Sequence, residues 1–215
     1  MPGEQRPALA QSIYAALFAG LISVGAYIAV PLPVSPVPIV LQNFFVLLAG
    51  LLLPMRWAVA SVALYLGLGA VGLPVFSAAR GGLAHFVGPT GGYLVGFLPA
   101  VAICALIAGP TGVRDGGDAG AAASTAAGAR DAGARVGSRA LRDTAAAVAA
   151  TAVVYALGTP WLAHVMDLSP GAAIGAGILP FLPGDALKIA AAVVVARVAR
   201  PLLHARVGGT GGTGR

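Results

Sequence analysis

Apolar residues in this chain come in long blocks, over residues 9–30, 57–73, 93–108, 144–157 and 182–198. Several of these approach the roughly 20 consecutive apolar residues that carry a helix across a bilayer core. The first block ends at PLPVSPVP, residues 31–38, because no regular helix passes through such a proline cluster. The stretch behind it, residues 39–53, spans about 15 residues or roughly 22 Å as a helix, short of a full crossing. It either tilts little or starts below the surface. A third helix then returns from Arg56 to about Leu73.

Residues 74–92, PVFSAARGGLAHFVGPTGG, are rich in glycine and proline, and their ionisable groups are Arg80 and His85. A loop this apolar predicts a lid or cavity wall folded down over the helices, where irregular backbone is tolerated at membrane depth. A fourth helix follows over 92–108. Residues 110–140 change to Gly, Ala, Ser, Asp and Arg and predict a flexible cytoplasmic linker. The fifth helix covers 144–157, with Gly158, Pro160 and Trp161 marking its outer end and Trp161 an interface anchor. The last begins near Pro183, where proline suits a first helical turn, and GGTGGTGR closes the chain as a disordered tail. The expected organisation is a segment 1–8, helices 1 to 4 over 9–109, the linker 110–140, helices 5 and 6 over 141–200, and the tail 201–215.

Composition sharpens this into an all-α integral membrane protein. Hydrophobic residues make up 58% and charged residues 9%, against roughly 25% charged in an ordinary soluble domain, so a water-soluble surface is excluded. The first block is not a secretory signal, since it exceeds 20 apolar residues and more spans follow. Cys104, alone in an apolar block, reads as a small buried hydrophobe. The net charge of +6 suggests nucleic acid until the basic residues are placed. With six spans and both termini cytoplasmic, Arg6, Arg56, Arg114, Arg130, Arg135, Arg139, Arg142, Arg197, Arg200, Arg206 and Arg215 fall inside, Arg80 outside and Lys188 in the last span. That asymmetry is the positive-inside pattern, with an even number of crossings and no nucleic-acid partner.

Lys188 is the single lysine, and Asp185 stands three positions before it in FLPGDALK, on the same helix face. Ionisable groups in a span are costly and are functional candidates by default. The helix N-terminus favours the Asp185 carboxylate and offers free N–H groups to an anion. In the plain alternative, Lys188 snorkels to the interface and Asp185 caps the first turn. Arginine usage tips the balance: twelve of the 13 basic residues are arginine, so a lysine at this depth reads as chosen for a compact ammonium. A ligand offering N–H donors to Asp185 and a carboxylate to Lys188 satisfies both charges. Gln42, Asn43, Thr90, Tyr93 and, about one turn deeper, Tyr155 are singly ordinary structural groups, but their shared depth near the outer ends of the helices points to one cavity. Arg80 and His85 read as solvated loop charges, and His85 has no ligand-spaced partners for a metal. Ala15 with Ala19, and Ala16 with Gly20, place small residues four apart, which permits close approach of a partner helix. The chain has no GxxxxGK[ST] phosphate loop, so ATP-driven uptake requires another subunit. It also lacks HExxH, GxSxG and paired carboxylates, which leaves an intramembrane enzyme without catalytic parts.

Five segments in order, SPVPIVLQNFFVLLAGLLL (35–53), YLGLGAVGLPVF (65–76), GGLAHFVGPTGGYLVGF (81–97), YALGTPWLA (155–163) and ILPFLPGDALK (178–188), resemble the BioY family, the biotin-specific substrate-capture (S) components of energy-coupling factor (ECF) transporters. The resemblance covers residues 9–200 apart from the linker. It implies the six-helix S-component fold in a prokaryotic cell membrane, with biotin near the outer face. The family's PGDxxK falls on Asp185 and Lys188 and its GPTGGY on Gly88 to Tyr93, which with Gln42 makes Asp185, Lys188, Thr90, Tyr93, Gln42 and Gly91 the expected biotin site, with neither cofactor nor metal. It further implies a membrane scaffold subunit and two ATPase subunits docked at Ala15 and Ala19. The linker is longer than is usual for the family. The competing reading is an autonomous facilitator or proton-coupled carrier for a small vitamin-like carboxylic acid, with Asp185 as the proton site.

Overall fold

The computed structural model describes residues 5–33, 35–109 and 126–208. Helix α1 (Gln5–Tyr27) stops short of the prolines, and the chain turns back on itself as strands β1 (Ala29–Leu32) and β2 (Ser35–Val40). The hairpin pairs Ala29 with Val40, Val30 with Ile39 and Leu32 with Ser35, with an irregularity after Val30. Prolines that no helix accommodates are tolerated here, because each strand of a two-stranded ribbon has a free edge on which a missing N–H is not felt. Helices α2 (Gln42–Leu52) and α3 (Met55–Ala70) follow. A 3-10 turn at Ser77–Ala79 and the single-turn α4 (Ala84–Val87) shape the next loop, before α5 (Gly91–Ala108), α6 (Ala126–Met166), α7 (Pro170–Gly177) and α8 (Leu182–Gly208).

The core is built on small residues. α2 packs against α1, α5 and α8, and α5 lies along α6. Ala49, Ala100, Ala146, Ala147, Ala150, Ala192 and Ala196 are buried, and a Cβ on Gly50 would stand 2.7 Å from the Cys104 Cβ. Helices in lipid associate through such close backbone approach. Large apolar side chains instead face outward on α1 (Leu9, Ile13, Leu17, Val24) and α8 (Leu187, Val194, Val198), a surface suited to lipid. By length and composition, three described helices suffice to cross a membrane, Ala8–Tyr27, Gly91–Ala108 and Gly137–Met166. Pro170–Gly177 and Leu182–Pro201, bent by 48°, make a fourth if read as one span. α2 and α3, at 11 and 16 residues, are shorter.

Three features depart from the sequence reading. α6 does not end near residue 157 but continues through Pro160 to Met166, as membrane helices do when neighbours satisfy the freed backbone groups. At its other end α6 begins at Ala126, so residues 126–140, expected as linker, are helical: alanine and arginine are strong helix formers, and a helix propagates readily from a packed segment. α7 was not anticipated at all; Ser169 caps it, its hydroxyl accepting from the Ala172 N–H at 3.4 Å. The rest of the expected linker (110–125), residues 1–4 and residues 209–215 of the expected tail lie outside the described residues, while 201–208 continue α8 past Pro201.

At the end of the bundle away from the hairpin, the Arg200 guanidinium donates to both Asp143 oxygens, at 2.6 and 2.9 Å, and to the Leu51 carbonyl at 3.0 Å. Asp143 is wholly buried and Arg200 nearly so. One side chain thereby ties α8 to α6 and to the C-terminal turn of α2.

Candidate functional site

α2, α5, α6 and α8 meet β2 and the 74–90 loop around a cavity with about 570 Å³ of empty space, part of it open to solvent. Val37, Leu94, Phe97, Val154 and Phe181 form apolar walls; Gln42, Asn43, Thr90, Tyr93, Tyr155, Asp185 and Lys188 supply polar groups. An apolar cavity with a few convergent polar groups is the usual form of a small-molecule site.

Asp185 lies in the first turn of α8, 4% exposed, its N–H bonded to the Phe181 carbonyl at 2.8 Å. That position lets the helix dipole favour its carboxylate. The Lys188 ammonium donates to Oδ1 at 2.9 Å and the Tyr155 hydroxyl, from α6, to Oδ2 at 2.5 Å. With its side chain 11% exposed, Lys188 faces the cavity instead of snorkelling to an interface. A carboxylate has about four acceptor positions and an ammonium three donors, so both groups keep capacity for a ligand. Gln42, 3% exposed, lines the same space, and its Nε2 has no hydrogen-bond partner.

The remaining expected residues divide by role. Thr90 lines the cavity, its Oγ1 3.2 Å from His85 Nε2. Tyr93 also lines it, but its hydroxyl donates to the Gly177 carbonyl at 3.0 Å and lies 3.4 Å from Thr159 Oγ1; a Cβ on Gly158 would come within 2.3 Å of its ring. Tyr93 thus joins α5, α6 and α7 at the wall. Gly91 is not on the wall: a Cβ there would stand 1.8 Å from the Phe86 carbonyl oxygen, so glycine is what lets α5 begin against α4. Ala15 and Ala19, expected to receive a partner helix, are 5% and 0% exposed on a helix that packs against α2 and α3. Their small side chains are spent on this chain's own packing, and Ala16 and Gly20 are the exposed pair.

The 74–90 loop is a built wall, as its apolar composition predicts. Phe76 is fully buried, edge-on to Tyr65 at 5.5 Å and stacked on the His85 ring at 5.0 Å. A Cβ on Gly69 would stand 2.0 Å from Phe76 Cζ. The Trp161 indole donates to the Gly88 carbonyl at 2.9 Å, fixing the loop to α6. His85 lines the cavity instead of standing in solvent, and burial, followed by the nearby Arg80 charge, pushes its pKa below the ordinary 6.5. A second recess, with about 1570 Å³ of largely open space between hairpin and loop, shares Pro38, Ser77, His85 and Thr90 with the first and forms its approach. Sequence reasoning missed the apolar walls Phe97 and Val154, whose position follows only from helix rotation, and Phe181, which is set by the turn between α7 and α8. Among the described residues no group of three or more His, Cys, Asp or Glu is arranged to hold a metal.

The sequence model of the BioY family matches residues 4–205. This chain belongs to the BioY family. Among curated relatives it is 36% identical over 181 residues to a probable biotin transporter of Pyrococcus horikoshii, covering 84% of this chain and 90% of the relative. It is 35% identical to a biotin transporter of Thermotoga maritima (86% and 93%) and 34% identical to one of Rhizobium etli (90% and 96%). Its fold matches the crystal structure of the S-component for biotin from an ECF-type ABC transporter with a TM-score of 0.74 and 24% identity, over 94% of this chain and 95% of that one. Family and fold together make this a transport protein of the membrane.

Proposed function

We propose that this protein captures biotin at the outer face of a prokaryotic cytoplasmic membrane, as the substrate-specific subunit of an ECF-type transporter. The observation that carries the reading is the Asp185–Lys188–Tyr155 cluster set into an otherwise apolar cavity. Biotin carries ureido N–H donors, an apolar fused ring and a carboxylate. Asp185 accepts from the N–H groups, Lys188 meets an anionic oxygen, and Val37, Leu94 and Phe97 cover the ring. The names of the relatives, transporters of biotin, support the same ligand.

In the membrane the chain crosses six times with both termini inside. α2 and α3 are short because the hairpin and the 74–90 loop fill the outer leaflet above them, and the basic residues crowd the opposite end. Transport is completed by a scaffold subunit and two ATPase subunits, the scaffold lying against the exposed Ala16–Gly20 face of α1.

Calorimetric titration of the detergent-solubilised protein is expected to show tight biotin binding and none for thiamine. Folded protein that ignores biotin refutes the assignment. Liposomes holding this chain alone are expected to bind biotin without accumulating it; accumulation driven by a pH gradient would instead establish a proton-coupled carrier.

A further inference from the structure

Tyr65, on α3, is fully buried and takes no part in the wall of the cavity. The Gln42 amide lies on the donor side of its hydroxyl, but the contact is not a hydrogen bond of good geometry, and neither the Tyr65 hydroxyl nor Gln42 Nε2 has another partner in the empty protein. Nearly all buried polar groups in folded proteins are paired, and an orphan costs about 1–3 kcal/mol. Two adjacent groups that meet each other only poorly, one of them at the edge of a ligand cavity, are both well satisfied if the carboxamide turns over and a ligand takes its Nε2. The Tyr65 ring is also held edge-on by Phe76, so the hydroxyl has little freedom to seek another acceptor.

We infer that Tyr65 is a positioning residue for the ligand: when the cavity fills, the Tyr65 hydroxyl donates to Gln42 Oε1, which turns Gln42 Nε2 onto a carbonyl or carboxylate oxygen of the ligand. The ligand oxygen completes a relay that the empty protein leaves open. This rests on the biotin reading above and adds to it a second recognition point, a donor on α2 facing the acceptor Asp185 on α8.

The test is a double-mutant cycle of Tyr65→Phe and Gln42→Met, titrated with biotin alongside thermal unfolding of the empty protein. Wild-type titration alone tests the biotin reading, and the variants test the relay. Tyr65→Phe is expected to weaken biotin about five- to ten-fold, the loss of one hydrogen bond. The empty variant should unfold at the same or a higher temperature, since an orphan hydroxyl is removed. Opposite signs for affinity and stability are what a merely structural tyrosine would not produce. The double variant should bind no more weakly than Gln42→Met alone. Tyr65→Phe binding as the wild type does, or losses that multiply, would overturn the relay. A wild type that binds no biotin overturns both. If Tyr65→Phe is too unstable to titrate, the hydroxyl is not an orphan and the relay is equally refuted.

Discussion

The Asp143–Arg200 pair between α6 and α8 and the Asp185–Lys188 pair on α8 are built for different work. Asp143 and Arg200 join the two helices through a bidentate contact, the guanidinium adds the Leu51 carbonyl, and both residues are shut off from solvent. Asp185 and Lys188 stand three apart on one helix, are linked to α6 only through the Tyr155 hydroxyl on Asp185, and face a cavity. Arginine, with a planar fork of donors, suits a fixed bidentate clasp; lysine is a compact charge on a flexible stem. The first pair uses its capacity on the protein and holds helices; the second holds capacity in reserve and can serve a ligand.

The sharpest way to break the comparison is at the sealed pair. Arg200→Ala leaves a buried carboxylate unpaired and should destabilise the fold by about 3–5 kcal/mol, read as a large drop in the unfolding temperature in detergent, while the fraction that stays folded still binds biotin. If stability is unchanged, the clasp does not hold the bundle.

At the cavity the expectation reverses. Asp185→Ala and Lys188→Met should each weaken biotin by roughly 10- to 100-fold, the range for hydrogen bonds to charged groups, with a smaller loss of stability than at Arg200, because the partner left behind faces a cavity partly open to solvent. Tyr155→Phe keeps the ring and removes one donor to Asp185, so its loss should fall at the low end, about ten-fold. Equal losses in stability and affinity at Asp185 would make it a second structural pair.

The smallest effect concerns acid. Because His85 has its pKa lowered in the folded protein, the fold favours its neutral form. The stability this contributes is present above the unfolded value, about 6.5, and declines as pH falls toward the folded one. Acidifying below about 6.5 should loosen the 74–90 loop modestly, and His85→Gln should flatten that dependence in a pH series of thermal melts.

Much of the candidate cavity was legible without a structure, for physical reasons tied to particular residues. Asp185 and Lys188 stood out because charge inside an apolar block is expensive, and the helix period places residues three apart on one face. Gln42, Thr90 and Tyr93 stood out because polar residues clustered at one depth. The sealed pair did not: Asp143 and Arg200 each lie at the edge of an apolar block, where a charge usually faces water, and their contact spans 57 positions. Gly91 and Ala19 are packed against the chain's own backbone and helices: sequence shows that a residue is small but not whether a ligand, a partner or the chain itself fills the space.

By itself the sequence determined the class, a helical membrane protein, and where helices cannot run, because length, apolarity and proline act locally. It also determined the family, through five motifs in order. Only the tertiary structure decided that the proline cluster pairs as a hairpin, that α6 passes through Pro160, that α7 exists, and which face of each helix turns inward. Those outcomes depend on the rotation and neighbours of whole helices, and a contact such as Tyr65 against Gln42 is created by packing that no local pattern encodes.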